Sequence, residues 1–147
     1  MLYLVAPLLA LPVVIYNLYA VIFSGGLYAQ AVGTRLAAPL FTMTTAGGGT
    51  WPVSASDLML TLALIVMFVE LIKASASRRM SVVNHALSIL LFVICLVELL
   101  IVPACATSTF FLLSLMLLLD VLAGLIATFA SARPAPDIRP STSVQKD

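Results

Sequence analysis

The residues most able to do chemistry in this chain sit where an apolar solvent tolerates them least. Glu98, Asp120 and Asn17 each lie inside a long run of apolar residues. A charged side chain at mid-bilayer costs roughly 2.5–3.5 kcal/mol on an insertion scale, so such residues turn toward the interior of a helix bundle and take partners there. Two chemistries fit this intramembrane polar cluster. The residues can be hydrogen-bond glue between helices, or they can mark a path for protons or cations. Helical rise places Asn17 and Glu98 at a common depth, each ~9 Å from the same end of its helix, so the two are expected to meet, with Asp120 deeper at ~17 Å. Glue is the expected role, because four helices enclose little room and no broken helix pair or inverted repeat of the transporter kind is present.

The remaining reactive side chains are few. His85 is the sole histidine, and it stands at one mouth of an apolar run beside Asn84, where it reads as a helix-start residue at headgroup level. A catalytic or haem-bound metal normally needs more ligands than one histidine supplies. Cys95 and Cys105 form no CxxC or Cys/His cluster. If one helix holds both, ~15 Å of rise separates them, whereas a disulfide needs Cα atoms within about 7 Å. Both cysteines are therefore expected to be free. The glycines Gly47–Gly49 lack the strand–helix context of a phosphate-binding loop. No metal, no cofactor and no enzymatic activity are expected.

The elements that position these residues follow from composition. The chain has 147 residues, 63% hydrophobic and 9% charged, with a net charge of +1. Soluble domains carry about 45–50% apolar and about 25% charged residues. A chain this short cannot hide the excess in a soluble core, whereas lipid accommodates it. Nothing in the charge pattern suggests a nucleic-acid partner. The fold class read from the sequence is an all-α membrane protein, a four-transmembrane-helix bundle. Its spans are 2–23, 53–73, 86–104 and 109–132. An outer loop, 24–56, carries either an irregular Gly/Thr stretch or a short β-hairpin, with Phe41 and Met43 facing Trp51 and Val53 across the glycines. The tail 133–147 holds three prolines with mixed charges and reads as disordered.

Orientation follows from basic residues. Lys73, Arg78 and Arg79 lie between the second and third spans, and Arg133, Arg139 and Lys146 follow the fourth; only Arg35 lies between the first two. Both termini are thus expected to be cytoplasmic. Lys73, Arg78 and Arg79 serve as interface anchors at that side, with Lys73 pairing with Glu70 one turn earlier. Trp51 anchors the opposite interface. The small-residue face Ala123, Gly124 and Ala127, together with Asp120, is expected to form a helix-packing seam. Ala29-Gln30-Ala31 fits a signal-peptidase pattern, but the apolar run before it exceeds the 7–15 residues of a signal sequence. The first span is therefore expected to stay uncleaved.

The stretches Leu40-Phe41-Thr42, Asp57-Leu58 through Val69-Glu70, and Ala106-Thr107-Ser108-Thr109-Phe110-Phe111-Leu112-Leu113 with Asp120 give the chain a familiar look. It resembles small four-helix inner-membrane proteins of alphaproteobacteria, a group with no assigned activity. That resemblance implies a bacterial inner membrane as the location. The layout also resembles claudin-like proteins, whose paired loop cysteines this chain lacks. The function expected from the sequence is a membrane-embedded interaction or scaffold subunit. It would pack against other membrane proteins or form a homo-oligomer. The alternative is a small oligomeric proton- or cation-coupled transport protein using the intramembrane acids.

Overall fold

A computed structural model of the chain describes residues 7–23, 25–27, 31–76 and 81–131, with the side chains of 73–76, 81, 82, 127, 128, 130 and 131 set aside. In chain order the elements are α1 (Ala10–Phe23), α2 (Val32–Ala37), β1 (Pro39–Thr44), β2 (Thr50–Ser54), α3 (Ala55–Ala76), α4 (Ser81–Ile101), a 3-10 turn (Pro103–Cys105) and α5 (Ser108–Ser131).

Three of the helices are long and apolar enough to cross a membrane, over Ala55–Ile72, Val83–Ile101 and Ser108–Ile126. They match the second, third and fourth expected spans. The first expected span, 2–23, is described only from Pro7, and its helix α1 has 14 residues. At 1.5 Å per residue that is ~21 Å, short of the roughly 30 Å hydrocarbon core. Among the described residues, then, three helices have membrane length where four were expected. The tail 133–147, Arg78 and Arg79 lie outside the described residues, as do the side chains of Lys73 and Ala127.

Burial follows a single stripe on each helix, at the spacing of a 3.6-residue turn. The stripe is Val13, Tyr16 and Ala20 on α1, with Leu9 just before it; Met59, Ala63, Val66 and Glu70 on α3; and Phe110, Leu113, Leu117 and Asp120 on α5. The outward faces are also apolar, with Leu100, Ile101, Ile126 and Phe129 among the most exposed side chains. A soluble protein does not present apolar surface on this scale. The pattern is that of a membrane protein.

Local chemistry fixes the helix ends. Ser54 and Asp57 form a capping box at the start of α3. The Asp57 carboxylate accepts from the Ser54 amide at 2.8 Å, and the Ser54 hydroxyl accepts from the Asp57 amide at 3.3 Å. Thr107 caps α5, its hydroxyl accepting from the Phe110 amide at 3.2 Å. Helix α4 begins at Ser81, five residues before the expected 86, and stops at Ile101 rather than 104. Pro103 explains the early stop. It disfavours the helical region for the residue before it, and Val102 is extended at φ −96°, ψ 113°. Cys105 consequently lies in the 3-10 turn and not on α4 with Cys95; both cysteines are free and buried.

The segment between α2 and α3 forms a β-hairpin rather than an irregular loop, with Phe41 opposite Val53 and Met43 opposite Trp51. Gly48 takes φ +81° at the turn, a conformation open to glycine. Helix α2, which periodicity did not reveal, precedes the hairpin and buries Val32 and Leu36. Arg35 of α2 reaches back to the end of α1, donating from Nη1 to the Phe23 carbonyl at 2.9 Å. A basic group there suits the exposed carbonyls of a helix C-terminus.

Candidate functional site

The intramembrane polar residues fall into two groups, one at each end of the bundle. The group near the hairpin is built on α1. The Tyr16 hydroxyl donates to the Ala104 carbonyl at 2.8 Å and lies 2.6 Å from the Thr107 hydroxyl, so α1 is pinned to the turn before α5. The Tyr16 ring packs against Phe110, with centroids 4.8 Å apart. One residue on, Asn17 Nδ2 donates to Glu98 Oε2 at 3.2 Å. The Cys105 thiol donates to Asn17 Oδ1 at 3.7 Å. Burial, with a smaller contribution from the Glu98 charge, pushes the Cys105 thiol up to about 12. Such a thiol is a poor nucleophile at neutral pH. Asn17 is thus engaged through both ends of its amide, and Glu98 through one carboxyl oxygen.

The second group lies toward the other end. Glu70 of α3 is 1% exposed, and both carboxyl oxygens are engaged across the bundle. Oε2 accepts from the Leu9 amide at 3.2 Å, and Oε1 accepts from Asn84 Nδ2 at 3.0 Å. The sequence pointed instead to Lys73 as the partner of Glu70, a pairing that lies outside the described side chains. The Leu9 amide precedes the first turn of α1, where helices leave N–H groups without intrahelical partners. Glu70 therefore supplies one helix with its N-terminal acceptor from another.

Beyond Asn84, helices α4 and α5 form a small, half-open polar cavity of about 10 Å³, lined by Asn84, His85, Ser88, Asp120 and Gly124. Asn84 Oδ1, His85 Nδ1 and Ser88 Oγ are buried and have no hydrogen-bond partner among the described residues. Ser88 is 1% and Asp120 7% exposed. The helices approach closely at Gly124. A Cβ there would collide with the Nδ1 atom of the His85 ring and would stand 3.0 Å from Cε1.

The polar residues expected to cluster are therefore divided. Asn17 and Glu98 meet, as their equal depth implied. Asp120 belongs with Ser88, ten residues from Glu98 along α4, which is ~15 Å of helical rise. Gly124 lies at the α4–α5 contact, and Ala123 beside it is half-buried. Trp51 is exposed on the hairpin, opposite Met43. His85 is a wall of the cavity. Asn84 and Ser88, four apart on α4, read from the sequence as part of a rough polar stripe with Cys95 and Glu98, and their place in a cavity was not legible there. The signal that could have found them is the matching i, i+4 pair Asp120 and Gly124 on the next helix.

Among the described residues no three His, Cys, Asp or Glu side chains stand close enough to hold a metal ion together. In comparisons with known proteins, the chain matches no family model, no curated protein and no solved structure.

Proposed function

We propose that the chain is a membrane-embedded interaction or scaffold subunit that packs against partner membrane proteins. In this reading it crosses a bacterial inner membrane four times, the first time over 2–23, with both termini in the cytoplasm. The observation that carries it is the hairpin. From Leu36 to Ser56 the chain has no charged residue. Leu40, Phe41, Met43 and Trp51 are all about half exposed or more, while only Val53 and Ser54 of the two strands are buried. A lone two-stranded hairpin is at best marginally stable in water. One that presents four large apolar side chains suits a surface that another protein covers. The pairing of Glu70 and Asn17 within the bundle supports the same reading, since both ends of each side chain are spent on holding elements together, with Glu98 joined through one carboxyl oxygen.

Photocrosslinking in cells tests it. A crosslinking residue in place of Phe41 should yield discrete protein adducts, and the same residue in place of the outward-facing Leu100 should yield lipid adducts only. Equal adduct patterns at the two positions would remove the case for a docking hairpin. The topology has its own check. A Cys at Ala46 in an otherwise Cys-free chain should label from outside, and one at Ser75 should label only after permeabilisation.

A second reading, proton- or cation-coupled transport, draws on one observation, the buried and unpaired polar atoms around Asp120. It requires that Asp120→Asn abolish pH- or cation-dependent flux in proteoliposomes.

A further inference from the structure

Among the described residues, the cavity between α4 and α5 differs from the other polar features of the bundle in what it leaves unpaired. Asn84 donates through Nδ2 to Glu70, so its amide cannot turn over without losing that bond, and it is Oδ1 that remains without a partner. Ser88 Oγ is buried and unpartnered on the same wall. Asp120 brings a carboxylate to the cavity from α5. His85 Nδ1 is an acceptor whenever the ring proton sits on Nε2. Among the described residues the lining is therefore rich in acceptors, carries one formal negative charge, and contains no Lys or Arg. Buried acceptors without donors are costly, and a lining of this kind is matched by a guest that is itself positive.

Size and charge narrow the guest. The cavity of about 10 Å³ has room for roughly one particle the size of a water molecule. Hard cations prefer carboxylate, carbonyl and hydroxyl oxygens over softer ligands. One carboxylate balances one positive charge. The neighbouring carboxylate of Glu70 is already committed to the Leu9 amide and to Asn84. A divalent ion would keep an unbalanced charge in a low-dielectric setting.

We propose that this cavity is a binding site for one small hard monovalent cation, sodium in the first instance, held by the Asp120 carboxylate, Asn84 Oδ1 and Ser88 Oγ. The His85 ring closes one side of it, seated against Gly124 where any larger residue would displace it. The site holds whether or not the cation goes on to cross the membrane, so it stands apart from the scaffold reading and from the transport reading alike.

The full chain, purified in mild detergent at pH 8, tests the site when choline chloride is exchanged for NaCl at constant ionic strength and Tm is followed. A ligand that binds the folded state alone raises Tm in a saturable way. The expected result is a saturating rise with sodium, weaker with potassium and absent with choline. Asp120→Asn should abolish the response, Ser88→Ala should raise the half-saturating sodium concentration at least tenfold, and Glu98→Gln at the other end should leave it unchanged. If Asp120→Asn fails to fold, sodium-23 line broadening compared between the natural chain and Ser88→Ala carries the test. Identical Tm in sodium and choline overturns the proposal and leaves the cavity to water. A sodium response that survives in both Asp120→Asn and Ser88→Ala overturns it as well, by placing the cation elsewhere.

Discussion

The two ends of the bundle use similar side chains to opposite effect. Near the hairpin, Tyr16, Asn17, Glu98 and Thr107 hydrogen-bond one another or the 3-10 turn. Toward the other end, Asn84, His85 and Ser88 keep atoms buried and unpaired around Asp120. The difference teaches that a polar residue in an apolar helix carries little meaning by its type alone. What distinguishes a joint from a site is whether its hydrogen-bonding capacity is already used up.

The largest effect that would sharpen this contrast is expected at Gly124. Gly124→Leu drives a branched side chain into the His85 ring, and overpacking costs typically about 1–3 kcal/mol. It should lower Tm in detergent more than any single change at the hairpin end. A harmless Gly124→Leu would mean that α4 and α5 do not approach as closely as the His85 contact requires. Next comes Tyr16→Phe, which strips the hydroxyl from the Ala104 carbonyl and from Thr107. Leaving a buried acceptor unsatisfied costs about 1–3 kcal/mol. The same thermal unfolding assay reads it, and an unchanged Tm would show that the hairpin-end joint does not hold α1.

Smaller effects are expected where one polar pair is changed. Glu98→Gln keeps a hydrogen-bonding group opposite Asn17, and membrane hydrogen bonds average only ~0.6 kcal/mol. Stability should hardly move, and any protein–protein adducts formed by the hairpin should persist. Loss of pH-dependent flux in this variant would turn the joint into a proton path and erase the distinction between the two ends. The smallest effect concerns Cys105, where stability does not enter. Its thiol is held at about 12 by burial, so the nucleophilic thiolate stays scarce well above neutral pH. Alkylation in the folded protein should be slow at pH 8 and should speed up on denaturation. Rapid labelling in the folded state would contradict the burial of the turn before α5.

The parts of this architecture legible in the sequence were those set by length, composition and depth. Apolar runs gave α3, α4 and α5, because a helix in lipid must satisfy its own backbone. Counting rise from the helix ends brought Asn17 and Glu98 to a common level. The Ser54-x-x-Asp57 spacing of a capping box was readable too, although the expected second span was begun at 53 on hydropathy alone. The cavity was harder to see for a physical reason. Hydropathy placed the start of the third span at Ala86, which left Asn84 and His85 outside it as loop and headgroup residues. The helix begins at Ser81, and that earlier start carries both residues onto a face that meets α5. The bonds of Glu70 to Leu9 and Asn84 were not legible, because only the fold brings those partners near. Helix α2 is six residues long, too short for periodicity to declare it.

One bond has a consequence for the way the chain is made. The amide of Leu9 finds its acceptor in Glu70, 61 residues later in the chain. At about 5–20 residues per second, a ribosome needs roughly 3–12 seconds to supply that carboxylate after Leu9 has been synthesised. Until then the leading end of α1 has neither its cap nor the helix it packs against. Helix α1 therefore waits for α3 before its N-terminal end is complete. A nascent chain arrested before Glu70 should leave that end open to protease, while one arrested after α3 has entered the bilayer should protect it.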